Sequence, residues 1–268
     1  MEWTLLAPLL ALGAAVGFLA GLLGIGGGMT IVPLLTILFA AEEFPADHVV
    51  HMAVATATAA MVFTALSSVR AHHGKGAVRW PIVVAMAPGI VAGSLVGPQI
   101  ASALPTRVFA AVFGAFTWFS ATRMLIAPKP KPGRELPGKA GLFGVGAGIG
   151  VVSSLLGAGG GFISIPFMQR HNVTIHNAVA TSAALGLPIA VAGTIGFILA
   201  GLRQPDLPRW SVGYVYLPAM AAIVVASMLV APVGASVAHR WPAVKLRRAF
   251  AALLGTLGTY MFWKAIRG

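Results

Sequence analysis

Eight apolar stretches, at about 3–41, 48–69, 80–103, 105–127, 141–168, 177–200, 211–238 and 248–263, take up most of this 268-residue chain. Most reach the roughly 20 residues that carry a helix across ~30 Å of hydrocarbon. Nearly every charged residue falls in the short gaps between them. Charged residues make up 9% of the sequence, against about 25% in a soluble domain, too few to coat a water-facing surface. Segments of about ten residues alternating apolar and polar are absent, so a transmembrane barrel is not expected. With no cysteine, the chain can be neither a disulfide scaffold nor a thiolate metal protein. An integral membrane protein built from helices remains, and 33 glycines and 18 prolines imply close packing and broken helices.

The net charge of +12 does not point to nucleic acid. The basic residues sit in gaps flanking apolar stretches, with no aromatic-interleaved patch for a groove or a single strand. Met1, Glu2 and Trp3 offer no basic region of a signal peptide, so the first stretch is expected to stay in the mature protein.

The two halves of the sequence repeat each other. Leu23-Gly-Ile-Gly-Gly-Gly-Met-Thr-Ile-Val-Pro33 returns as Leu156-Gly-Ala-Gly-Gly-Gly-Phe-Ile-Ser-Ile-Pro166. His51-Met-Ala-Val-Ala-Thr56 returns as His176-Asn-Ala-Val-Ala-Thr181, and Arg79-Trp80 as Arg209-Trp210. Pro88 is matched to Pro218, Gly97 to Gly234 and Pro105 to Pro242. A charged, proline-rich segment divides the copies and reads as a stiff connector. The expected organisation is a first transmembrane repeat over 1–127, a cytoplasmic linker over 128–140 and a second repeat over 141–268.

Orientation follows from the basic residues. If the linker is cytoplasmic and the second half inverted, Arg107, Arg203, Arg209, Lys264 and Arg267 lie outside, and the other thirteen of the eighteen lie inside. That asymmetry is the one that sets membrane topology. It predicts inverted repeats with both termini outside. It also requires 3–41 and 141–169 each to enter and leave on one side, as a re-entrant hairpin or as two short tilted helices. The expected fold is thus an all-α polytopic membrane protein of two inverted-topology repeats with glycine-broken helices.

Two glycine runs, Gly26, Gly27 and Gly28 with Gly159, Gly160 and Gly161, interrupt apolar sequence that is otherwise helical. Each glycine costs a helix roughly 1 kcal/mol, and irregular backbone at membrane depth survives only where protein or a wet cavity satisfies it. Free N–H groups opening the following half-helix make an anion site. Inverted repeats bring two such breaks together where secondary transporters bind substrate. Close helix packing is the plainer role for the same glycines. No Gly-Lys-Ser/Thr follows either run, so a nucleotide-binding loop is not expected.

Thr56, Thr58, Thr181 and Ser182 place hydroxyls among alanine and valine, where they can donate to an anion or bond back to their own helix. His51 and His176 are candidates for a coupling proton or for anchors of a helix end. No Asp or Glu lies deep in an apolar stretch, although cation carriers keep carboxylates there. An anion is the better substrate. No catalytic constellation, cofactor motif or metal-ligand spacing is present; His72-His73 beside Lys75 is too little for a metal site.

In its paired glycine motifs and Ala-Val-Ala-Thr segments, the chain resembles the TauE/SafE family of sulfite exporters from about residue 10 to 263. The resemblance implies transport of sulfite, sulfoacetate or related organosulfonates across the bacterial cytoplasmic membrane, with export as the expected direction. Transport of another small anion, and an intramembrane enzyme, are the alternatives. Expected partners are the anion and membrane lipid, with a surface that permits a homodimer.

Overall fold

Glycine and proline, more than polar loops, decide where the helices of this chain begin and end. The computed structural model describes residues 3–23, 28–74, 76–126, 135–238 and 243–267. The first half folds into α1 (Trp3–Leu23), α2 (Gly28–Ala41), α3 (Val49–Gly74), α4 (Trp80–Ala103) and α5 (Thr106–Ile126). The second half has α6 (Lys139–Leu155), α7 (Gly161–Arg170) and α8 (Ile175–Gly201). A hairpin of β1 (Ser211–Val212) and β2 (Val215–Tyr216) follows, then α9 (Leu217–Ala238) and α10 (Ala243–Arg267). Helices dominate because hydrocarbon offers the backbone no partner other than itself.

Among the described residues α3, α4, α5 and α8 are long and apolar enough to cross a membrane. At 1.5 Å per residue α7 is only ~15 Å long, about half the hydrocarbon thickness. It cannot cross alone. The fold is that of an all-α polytopic membrane protein.

The packing repeats as the sequence does. α4 lies along α6 as α9 lies along α1, α2 sits on α3 as α7 sits on α8, and α3 meets α8 as α5 meets α10. The correspondence reaches single residues. Gly13 and Gly17 of α1 press on the backbone at Ile223 and Ser227 of α9, and a methyl group on Gly17 would come within 2.4 Å of Ser227. Gly146 and Gly150 of α6 press in the same way on Met86 and Ile90 of α4. These are small-residue seams of the kind that let membrane helices approach closely.

Every residue from Val49 to Met61 is buried, so α3 opens as a helix enclosed on all sides. α5 lies outside, exposing Trp118, Phe119, Leu125 and Ile126 as a lipid-facing helix does.

Three details differ from the sequence reading. The stretch expected to be apolar helix from 211 starts instead with the hairpin, pairing Ser211 with Tyr216 and Val212 with Val215. Gly213, at φ +54°, lies so close to Ile198 of α8 that a side chain would collide with its carbonyl. The hairpin also shifts the alignment of the halves. Pro218 is the second residue of α9 and Pro81 the second of α4, so Pro218 corresponds to Pro81 and not to Pro88. Proline is tolerated there because a first-turn N–H has no helical partner to lose. Finally, α6 starts at Lys139, within the last residues assigned to the connector; residues 128–134 of the connector lie outside the described ones.

Candidate functional site: two glycine breaks and their hydroxyls

Between α6 and α7 the chain leaves helical geometry for five residues. Gly157 and Gly160 hold φ of +60° and +73°, a left-handed backbone that favours glycine. Ala158 N–H bonds the Ser153 carbonyl at 2.8 Å, and Ser164 N–H bonds the Gly160 carbonyl at 2.9 Å. Among the described residues none accepts from the N–H groups of Gly159, Gly160, Gly161 and Phe162. They are the orphan donors of the α7 N-terminus, and Gly160 is buried.

The first break reaches the second. A methyl group on Gly28 would lie 2.0 Å from the Gly157 carbonyl oxygen, so only a glycine allows this contact. Gly26 and Gly27 lie outside the described residues. Thr58 and Ser182 stand at the same place: a methyl on Gly157 would meet Thr58 Oγ1 at 3.3 Å, and one on Gly161 would meet Ser182 Oγ at 3.3 Å. Ser164 Oγ donates to Ser182 Oγ at 2.8 Å, and both residues are buried. The Ser182 proton is therefore available to a further acceptor. Thr58 instead donates to the Val54 carbonyl at 2.7 Å, the back-bonding that hydroxyls adopt in apolar helices.

Thr56 and Thr181, both fully buried, each accept a bond from another part of the chain. Thr56 Oγ1 accepts from the Tyr216 N–H at 3.0 Å, and Thr181 Oγ1 from the Arg79 N–H at 3.0 Å. Tyr216 directly precedes α9 and Arg79 directly precedes α4, so each threonine holds the start of a corresponding helix. Each keeps its own O–H to donate.

The histidines are not equivalent. His51 is buried; its Nε2 lies 3.0 Å from the Ala101 carbonyl and 3.2 Å from that of Leu104. Carbonyls only accept, so this nitrogen carries the hydrogen, and the ring caps the C-terminus of α4. His51 also stacks on Tyr214, with ring centroids 5.4 Å apart. Tyr214 lies in the loop between α8 and α9, where burial pushes its phenol above the ordinary value, partly offset by a hydrogen bond with Gln204. His176 is exposed.

Three participants were not singled out from the sequence. Ser164 stands inside the repeated motif and could have been found there as its one hydroxyl between Gly161 and Pro166. Ser153 and Tyr214 carry no local signal, because the fold alone brings them in. Among the described residues no group of three or more His, Asp or Glu could hold a metal. A cavity of about 10 Å³ borders Gly28, Met61, Thr64 and Ser227, room for about one water.

Residues 9–261 match the family model described as "Sulfite exporter TauE/SafE". A "Probable membrane transporter protein" of Haemophilus influenzae is 33% identical over 264 residues, 98% of this chain and all of that protein. The "Probable membrane transporter protein YdhB" of Bacillus subtilis is 29% identical over 87% of this chain and 90% of its own length. A "Probable membrane transporter protein" of Methanocaldococcus jannaschii is 26% identical over 97% of each chain. No solved structure matches the chain. Its match over nearly the whole length, its helices and its apolar surface place this multi-pass protein, in bacteria a protein of the inner membrane, in the sulfite exporter TauE/SafE family of membrane transporters.

Proposed function

We propose that the protein is a secondary transporter that exports a small sulfur-containing anion, such as sulfite, sulfoacetate or a related organosulfonate. The observation that carries this reading is the α7 N-terminus, where four N–H groups without a described acceptor lie beside the Ser164–Ser182 pair. Gly28 of the other break touches this segment through Gly157. A sulfite or sulfonate spreads its charge over three oxygens and accepts several hydrogen bonds at once. A helix N-terminus and hydroxyls supply donors without a fixed positive charge that would hold the anion too tightly to release it. Gly28, Thr58, Gly159, Gly160, Gly161 and Ser182 form this site, with Gly26 and Gly27 assigned to it by the repeat.

The matched helix contacts support two inverted repeats that meet at the breaks, the arrangement in which transporters bind substrate near the membrane midplane. Passage of the anion past the breaks would require helices to part. The bonds from Thr56 to the start of α9 and from Thr181 to the start of α4 are the matched contacts that hold them together. His51 and His176 remain the titratable candidates for coupling.

Purified protein in liposomes loaded with radiolabelled sulfite provides the test. Efflux above that of empty liposomes, inhibited by sulfoacetate and not by acetate, is the expected result. Inhibition by acetate as well would favour a general anion carrier. Absence of flux for every anion, with turnover of a lipid-soluble substrate in detergent, would favour an intramembrane enzyme.

A further inference from the structure

A second polar feature lies apart from the glycine breaks. The loop before α3, the α4–α5 turn and the end of α10 enclose a half-open cavity of about 550 Å³, bordered by Asp47, His48, His51, Thr106, Arg107 and Lys264. Two fixed cations and one carboxylate belong to its lining, and neither Arg107 nor Lys264 has an ion-pair partner among the described residues. In the wall, His48 Nδ1 is buried with no hydrogen-bond partner. The carbonyl end of α4, which would repel an anion, is already capped by His51 Nε2. Thr106 and Arg107 are the first two residues of α5, so the N-terminus of that helix borders the cavity. His48 and His51 also border Tyr214, with ring centroids 5.6 and 5.4 Å apart. Tyr214 stands on the hairpin whose Tyr216 N–H is held by Thr56.

We propose that this cavity is an anion-binding vestibule, in which Arg107 and Lys264 concentrate the small oxyanion at the mouth of the pathway. It rests on the transporter reading for its substrate, and on its own geometry for the sign of the charge it collects. Its lining shares no residue with the glycine breaks, which makes it a collecting or release site rather than the point of selection.

The absence of native cysteine allows a direct test, because Ser102→Cys places a single thiol in the cavity wall. Its rates of reaction with sulfonatoethyl and trimethylammonioethyl methanethiosulfonate are compared and normalised to 2-mercaptoethanol, in detergent-purified full-length protein. Preference for the anionic reagent by about fivefold is expected from two cations at this range. It should fall to near unity in Arg107→Gln/Lys264→Gln and return in Arg107→Lys/Lys264→Arg. An unchanged ratio after removal of both charges would overturn the vestibule. If the double variant does not purify as monodisperse protein, Arg107→Gln alone should lower the preference about twofold, and no fall would count equally against it. In liposomes, the Gln variants should raise the KM for sulfite several-fold with little change in maximal rate. Absence of sulfite flux in the parent protein, with the labelling ratio still charge-dependent, would remove the substrate assignment and leave the vestibule standing.

Discussion

Single hydroxyls in this protein have distinct duties, although they look alike in sequence. Ser182 accepts from Ser164 and keeps its proton, whereas Thr58 has given its proton to Val54. A charge-assisted hydrogen bond contributes roughly 1.5–3 kcal/mol. Ser182→Ala should therefore weaken sulfite binding about tenfold or more, read by calorimetry, while Thr58→Val should change it less. Equal losses would mean that Thr58 turns toward the anion when it binds. Thr56→Val strands the buried Tyr216 N–H, at a cost of about 1–3 kcal/mol, while the Arg79 N–H released by Thr181→Val lies beside an exposed residue. The melting temperature should fall more for Thr56→Val than for Thr181→Val. His51→Gln should lower thermal stability by loosening the cap on α4, and His176→Gln should leave it unchanged. Flattening of the pH profile of transport by either variant would identify the coupling group.

At the scale of elements, two seams of small residues set how near the helices come. Gly17 of α1 has Ser227 of α9 within reach of any added methyl, whereas a methyl on Gly144 of α6 would meet nothing within 4 Å. Gly17→Ala must push α1 off α9, and Gly144→Ala gains helix propensity of about 0.5–1 kcal/mol. Thermal unfolding should separate them in opposite directions, and equal melting temperatures would refute a tight α1–α9 seam. The hairpin obeys another rule. It has no counterpart among the described residues of the first half, and it is seated on the end of α8 by Gly213 and Gly201, each too close to the other's strand or helix to carry a side chain.

For the whole molecule, contacts divide the loops into two groups. The cavity joins residues 46–48 to the 102–107 turn and Lys264, and Tyr214 stacks on His51 beside them. The 73–80 segment meets the start of α8 instead, through Arg79 and Thr181. These are the groupings expected if the first set lies outside and the second inside, as the distribution of basic residues implies. Single cysteines test it: Glu135→Cys should resist a membrane-impermeant thiol reagent in intact cells, and Arg267→Cys should react. The reverse pattern would overturn the inverted arrangement.

Helical membrane character, the duplication and the breaks were legible in the sequence because each is a local or periodic property. Spans are read from runs of apolar residues, and a break from three glycines in a place where hydrocarbon forbids an open backbone. Ser182 and Thr58 stand out in the sequence for the same reason, since they lie one and two residues beyond a repeated motif. The partners of those residues were not legible. That Thr56 would hold Tyr216, 160 positions away, or that His51 would cap α4 while His176 stands exposed, depends on which helices meet. The hairpin also escaped, because Val212, Val215 and Tyr216 are as apolar as a helix entering the membrane. Apolar character determines what is buried; only the packing of α3, α4, α8 and α9 decided which buried polar group meets which, because an unpaired hydrogen bond in a dry interior costs more than the local preference of any one residue.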